Sequence, residues 1–170
     1  MYASASLRRD CAPVGPALQW HTVEQRFLHR PSRWSAGSCL VSVLDMGPMA
    51  LAQSADIPGL DQRLQALFAA SPACAGQAAS SLFLAELLAH LTLELQCRAG
   101  VPCARRAIMT VHERRGQVRI IIASNAEALT IRAFALACAM VAALCAGRPV
   151  DMSASMAALL DARTGLAARS

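Results

Sequence analysis

The chain contains no lysine: all 16 basic residues are arginine, set against 11 acidic residues, for a formal net charge of +5 over 170 residues. Charged residues make up only 16% of the sequence and aromatic ones only 4%, whereas 55% are hydrophobic. A low charge content with a high apolar content excludes general disorder, because such a chain can bury enough surface to offset its ordering entropy. The arginines are spread from Arg8 to Arg169 rather than clustered, and few aromatics lie among them. That pattern lacks the basic stripe and stacking residues of a dedicated nucleic-acid binder. No nucleic-acid partner is expected.

Other signatures are missing too. The seven cysteines (11, 39, 74, 97, 103, 138 and 145) contain no CxxC pair, so neither a zinc ribbon nor a dithiol redox motif is indicated. There is no glycine-rich phosphate loop and no GxSxG elbow. The opening MYASASLRRD is polar and basic with no apolar run behind it, which leads to the expectation of a cytoplasmic protein with reduced thiols. The longest uncharged apolar run, Ala133 to Gly147, is shorter than the roughly 20 residues of a membrane-spanning helix. It reads as a buried helix, and no membrane partner is expected.

What is present has the length of one domain. Residues 1–17 have no periodicity and read as a flexible leader. Leu18 to Leu28 partly alternates polar and apolar residues, and Ser38 to Met46 is rich in Val and Leu; both read as strands. A helix is expected from the Asp56–Leu60 opening to about Ala70, with Leu60, Leu64, Leu67 and Phe68 on one stripe. A loop of small residues, Ser71 to Ser80, follows. A strong helix over Ser81 to Ala99 carries Leu84, Leu87, Leu88, Leu91 and Leu95 on one face and stops at Gly100. Arg106 to Glu113 and Gln117 to Ala123 form a hairpin with Gly116 at a position needing positive φ. Asn125 is the expected cap of a long helix ending near Gly147, and Met152 to Arg163 is a short tail helix.

The order β-β-α-α-β-β-α-α predicts an α+β fold, a small mixed or antiparallel sheet of about four strands with helices packed on one face. Residues 18–150 form the domain and 151–170 the tail. A helix as apolar as Asn125 to Ala146 needs cover on several sides, which suggests a homo- or hetero-oligomer.

The chemistry-bearing segment is the helix over Ser81 to Ala99. Glu86, His90 and Glu94 recur at i, i+4 and i+8, so they share a face. This spacing fits two readings. One is a set of metal ligands, since side chains four residues apart rise beside each other. The other is an ordinary polar stripe with Glu86 and His90 as an i, i+4 pair. His112, next to Glu113, reads as a hairpin-surface residue, and His21 and His29 have no partner spacing around them. Ser80–Ser81 and Ser124–Asn125 read as helix caps.

The stretch LFLAELLAHLTLELQCRAGVP resembles the amino-terminal domain of cyanophycin synthetase, whose members carry a segment of the form LGHxxEHIALELQxLAGMP. Arg33-Trp34-Ser35 ahead of LVSVLDM, Ile57-Pro58-Gly59-Leu60 at a helix start, and Cys74 behind that helix extend the resemblance collinearly from about Leu18 to Gly147. The resemblance implies a small α+β module that binds cyanophycin, a polymer of aspartate bearing arginine. In some members the module is also a metal-dependent hydrolase that cuts the polymer into primers. The ligase domains that build the polymer have no room in 170 residues.

The hydrolase chemistry of the family rests on an HxxEH helix, with two His ligands and a Glu base. Here Glu86 stands at the first His and Ala89 at the base, leaving only His90. Glu94 matches the Glu of the family's LELQ. Loss of a general base alone typically costs about 10²- to 10⁴-fold in rate. The expectation is therefore a non-catalytic accessory module, with no catalytic residues and no required cofactor, that binds cyanophycin-type polymer or a partner such as cyanophycin synthetase. Its alternative is a divergent hydrolase with Glu86, His90 and Glu94 as residual zinc ligands and a base drawn from Glu113 or Glu127.

Overall fold

The computed structural model describes residues 20–68, 82–101, 108–114 and 116–167. The expected loop at Ser71 to Ser80, the Ser80–Ser81 cap, the leader, and Cys11, Cys74 and Cys103 lie outside the described residues.

The strands are β1 (His21–Leu28), β2 (Cys39–Asp45), β3 (Ile108–Arg114) and β4 (Gln117–Ala123). They lie in the order β1-β2-β4-β3, and every neighbouring pair is antiparallel. The helices are α1 (Leu60–Phe68), α2 (Phe83–Arg98), α3 (Glu127–Cys145) and α4 (Met152–Ala167). Two short 3₁₀ turns, Gly47–Leu51 and Ser54–Asp56, fill the connection between β2 and α1. The α+β class holds: an antiparallel sheet with helices laid on it.

Alternation along the strands decides which residues meet the helices. Leu40 and Leu44 of β2 join Val118, Ile120 and Ile122 of β4 on one face, all completely enclosed. Leu84, Leu88, Leu91 and Leu95 of α2 and Phe134, Ala137 and Val141 of α3 close over them as one cluster. The opposite face has its own small cluster, Cys39, Val41 and Ile121, covered in part by Leu28 and Trp34. Both faces of the sheet centre are thus dry, and β2 is a near-continuous apolar run for that reason.

The helix ends follow local rules. At the close of α2, the Val101 N–H donates to Gln96 O and the Gly100 N–H to Cys97 O, both at 3.0 Å, with Gly100 at φ +81°. This is the Schellman arrangement, which requires a left-handed residue and so favours glycine. The end of α3 repeats it with Arg148, Gly147, Ala143 and Leu144.

The start of α3 differs from the expectation. Asn125 makes no cap, and the residue at the cap position is Ala126, which has no side chain able to serve. Instead Ser124 Oγ accepts from the Ala126 N–H at 3.2 Å and lies 2.7 Å from Thr130 Oγ1. No side chain caps α3, and Ser124 Oγ closes a turn just ahead of it.

The tail helix begins at Asp151, whose Oδ1 accepts the N–H groups of Ser153 and Ala154 at 2.8 and 3.2 Å. It extends one turn beyond Arg163 and enters the main core through Leu159, 2% exposed. The residues of α3 that remain exposed on its outer side include Ala128, Ala135 and Ala139, which expose little apolar area each. At 19 residues with a mean hydropathy of 2.1, α3 is long and apolar enough to cross a membrane by composition, a test that core helices also pass. Here it is packed between α2 and α4, with α1 also against it.

Candidate functional site

Helix α2 is buried almost all round. Leu84, Ala85, Leu87, Leu88, Ala89, Leu91, Thr92, Leu93, Leu95 and Gln96 are enclosed, leaving a narrow open stripe along Phe83, Glu86, His90, Glu94 and Cys97. The three candidate ligands do share a face, as their spacing requires. A helix rises about 1.5 Å per residue, so Glu86 and Glu94 stand about 12 Å apart along the axis. One ion cannot be reached by both ends of that span together. Among the described residues no group of three or more His, Cys, Asp or Glu side chains is placed to hold a metal. The Glu86–His90–Glu94 set is corrected accordingly to a polar stripe.

Each member has its own surroundings. Glu94 Oε1 accepts from Arg98 Nε at 2.7 Å in an i, i+4 ion pair near the helix C-terminus. Half-burial pushes the His90 imidazole below its ordinary pKa, and the Glu86 carboxylate partly offsets that. Ala89, at the position of the family's general base, is 0% exposed and belongs to the main core rather than to the stripe. Glu127, one of the two carboxylates considered as a substitute base, instead lies 3.2 Å from His29 Nε2 at the start of α3. The side chains of His112 and Glu113 lie outside the described set, although β3 aligns His112 with Val118.

A second feature lies on the opposite face of the sheet. The β1–β2 loop is pinned by Ser32: its N–H donates to Ser35 O at 2.9 Å and its Oγ accepts from the Trp34 N–H at 3.2 Å. The tight turn brings Arg33 and Trp34 over the sheet. The guanidinium carbon of Arg33 lies 4.4 Å from the Trp34 ring centroid, and that of Arg119, from β4, lies 4.5 Å from it. Both distances are within cation–π range. The ring caps Cys39, Val41 and Ile121 while two positive charges converge on it. Arg33-Trp34-Ser35 stood out in the sequence, but nothing there joined it to Arg119. That link exists only through the β2–β4 register, which places Arg119 opposite Val43.

A third feature is an open groove of about 360 Å³ between α3 and α4, lined by Arg132, Ala135, Leu136, Ala139, Ala158 and Leu159. The four described cysteines are free: Cys39 is buried, Cys97 exposed, and burial pushes Cys138 up to about 12 and Cys145 up to about 11. The thiols raised by burial are poor nucleophiles and poor metal ligands.

No protein-family model matches the chain, and no curated protein matches it.

Proposed function

We propose that the protein is a non-catalytic binding module resembling the amino-terminal domain of cyanophycin synthetase. It acts in cyanophycin metabolism by holding the arginine–aspartate polymer or a partner enzyme such as the synthetase, in the cytoplasm. The four-strand β-β-α-α-β-β-α-α scaffold expected of that module belongs to the same proposal. The observation that carries the binding role is the convergence of Arg33 and Arg119 on Trp34. Two guanidinium groups held over one ring supply charge-assisted donors for a carboxylate-bearing chain.

Two observations weigh against the hydrolase alternative. Ala89 offers no proton acceptor and is enclosed, and Glu86, His90 and Glu94 are strung along the helix rather than gathered.

Co-sedimentation with insoluble arginine–aspartate polymer tests the proposal. The wild-type chain should pellet with the polymer, and the double variant R33A/R119A should bind at least about tenfold more weakly, the loss expected for charge-assisted hydrogen bonds. If neither polymer nor synthetase retains the wild-type chain, the proposal fails.

A further inference from the structure

Strand β1 is an outer strand of the sheet, pairing with β2 alone among the described strands. Its first six residues, His21 to Arg26, are all exposed, and Val23 is 50% exposed. At eight residues it is also longer than any other described strand. An edge of this kind presents a row of outward N–H and C=O groups that can template another strand. Proteins usually protect such edges with charges or bulges, and β1 has both: a register shift between Thr22 and Glu24, and the charges Glu24 and Arg26.

The charges protect only if pairing brings like against like. Here they do the reverse. When two copies of β1 run antiparallel about a two-fold axis at Gln25, Glu24 of each copy falls opposite Arg26 of the other. This register is regular around the axis, over Glu24 to Arg26, and the bulge at Val23 bounds it. A shift by one residue would turn each side chain to the wrong face. Glu24 and Arg26 already form a 3.1 Å ion pair within one chain, so the two-fold arrangement makes a square of four alternating charges. Gln25 itself is held inward, its Nε2 donating to Ser42 Oγ at 2.9 Å, and does not obstruct the axis.

We infer that β1 is a self-association edge, and that its occupant is the β1 strand of a second copy of this chain, joined antiparallel about Gln25 into one continuous sheet. This inference stands apart from the proposed polymer binding, since Trp34 and its arginines are on the loop and on β4. The symmetry is isologous, so it closes at a dimer rather than growing into a fibre. The interface is smaller than a standard permanent one, and the dimer should therefore dissociate on dilution.

The test is sedimentation velocity of the full chain across a concentration series from micromolar to near-millimolar. The wild-type mass should rise from that of one 17.9 kDa chain to that of two. Glu24→Arg or Arg26→Glu alone sets like charges opposite each other at two symmetric places and should weaken the dimer about tenfold, the sum of a few cross-strand pair energies. The combined reversal, Glu24→Arg with Arg26→Glu, restores the complementarity and should recover the wild-type midpoint. All four positions in the square are exposed, so folding is not at stake, and circular dichroism confirms that for each variant. A wild-type chain that stays monomeric throughout overturns the inference. So does a dimer indifferent to the single reversals, or one that the double reversal fails to restore.

Discussion

A β-carbon placed on Gly116 would sit 3.0 Å from the Cα of Gly47. Two turns meet there: the β3–β4 hairpin and the exit from β2. The Met46 N–H donates to Gly116 O at 2.7 Å and locks them together. Gly116 also has φ +81°, a conformation that costs a side-chain-bearing residue about 1 kcal/mol. Gly116→Ala should therefore destabilise the fold by about 2 kcal/mol, lowering Tm by roughly 5 °C for a domain of this size. Gly37, with nothing near its missing β-carbon, is the control. Gly37→Ala should leave Tm within about 2 °C of wild type, consistent with a surface change. Thermal unfolding of both variants checks the pair.

Restoring the family's catalytic residues should not restore catalysis. Glu86 is on the open stripe, so Glu86→His alone should be tolerated. Ala89→Glu places a carboxylate where the wild-type methyl is completely enclosed, and an unpaired buried charge with overpacking costs about 3 kcal/mol or more. The double variant should be markedly destabilised in urea unfolding and should bind no stoichiometric zinc by elemental analysis. A stable, zinc-loaded double variant would show that position 89 opens onto a site.

His90 should give the fold a pH dependence of definite sign. Its pKa in the folded chain is depressed below the ordinary imidazole value, first by burial, with Glu86 opposing. In the window between the folded pKa and about 6.5, the unfolded chain binds more protons than the folded one. Stability is therefore complete above about pH 6.5 and declines as pH falls through that window. His90→Gln should flatten this decline, while Glu86→Gln should steepen it. Urea midpoints from pH 5 to 8 read the slopes directly.

The thiols report on the Trp34 cap. Cys39 is fully enclosed, and burial raises its pKa, with a hydrogen bond from Ser32 opposing. Among the four described cysteines, exposed Cys97 should be alkylated first, with Cys39, Cys138 and Cys145 slow. Trp34→Ala uncovers the Cys39, Val41 and Ile121 cluster and should make Cys39 reactive at least about tenfold faster, leaving Cys138 unchanged. Timed alkylation with peptide mass mapping separates the sites.

The sequence was most legible where one residue determines the local geometry. Gly100 had to end α2 because the closing turn needs a left-handed residue, and Gly116 had to form the hairpin turn for the same reason. The leucine period placed the buried face of α2, and the four-residue spacing correctly put Glu86, His90 and Glu94 together on its open side. Spacing gives the angle around a helix but not the convergence of groups along it, so the metal reading came from half of the geometry. The start of α3 was not legible from Ser124 and Asn125, because both residue types suit a cap and the backbone path brings Ala126 to that position instead. The apolar length of α3 carried no signal for which elements lie against it, because α1, α2 and α4 reach it through the chain path. The Arg119–Trp34 contact had no local signal, because strand register alone joins residues so far apart in the chain.

The most direct test of the proposed role is to incubate the purified chain with arginine–aspartate polymer and Zn²⁺, then measure polymer length and bound protein in the same pellet. A binding module retains the protein on polymer of unchanged length, with or without the metal. Metal-dependent shortening that is lost in His90→Ala would contradict it and return the stripe on α2 to catalytic duty.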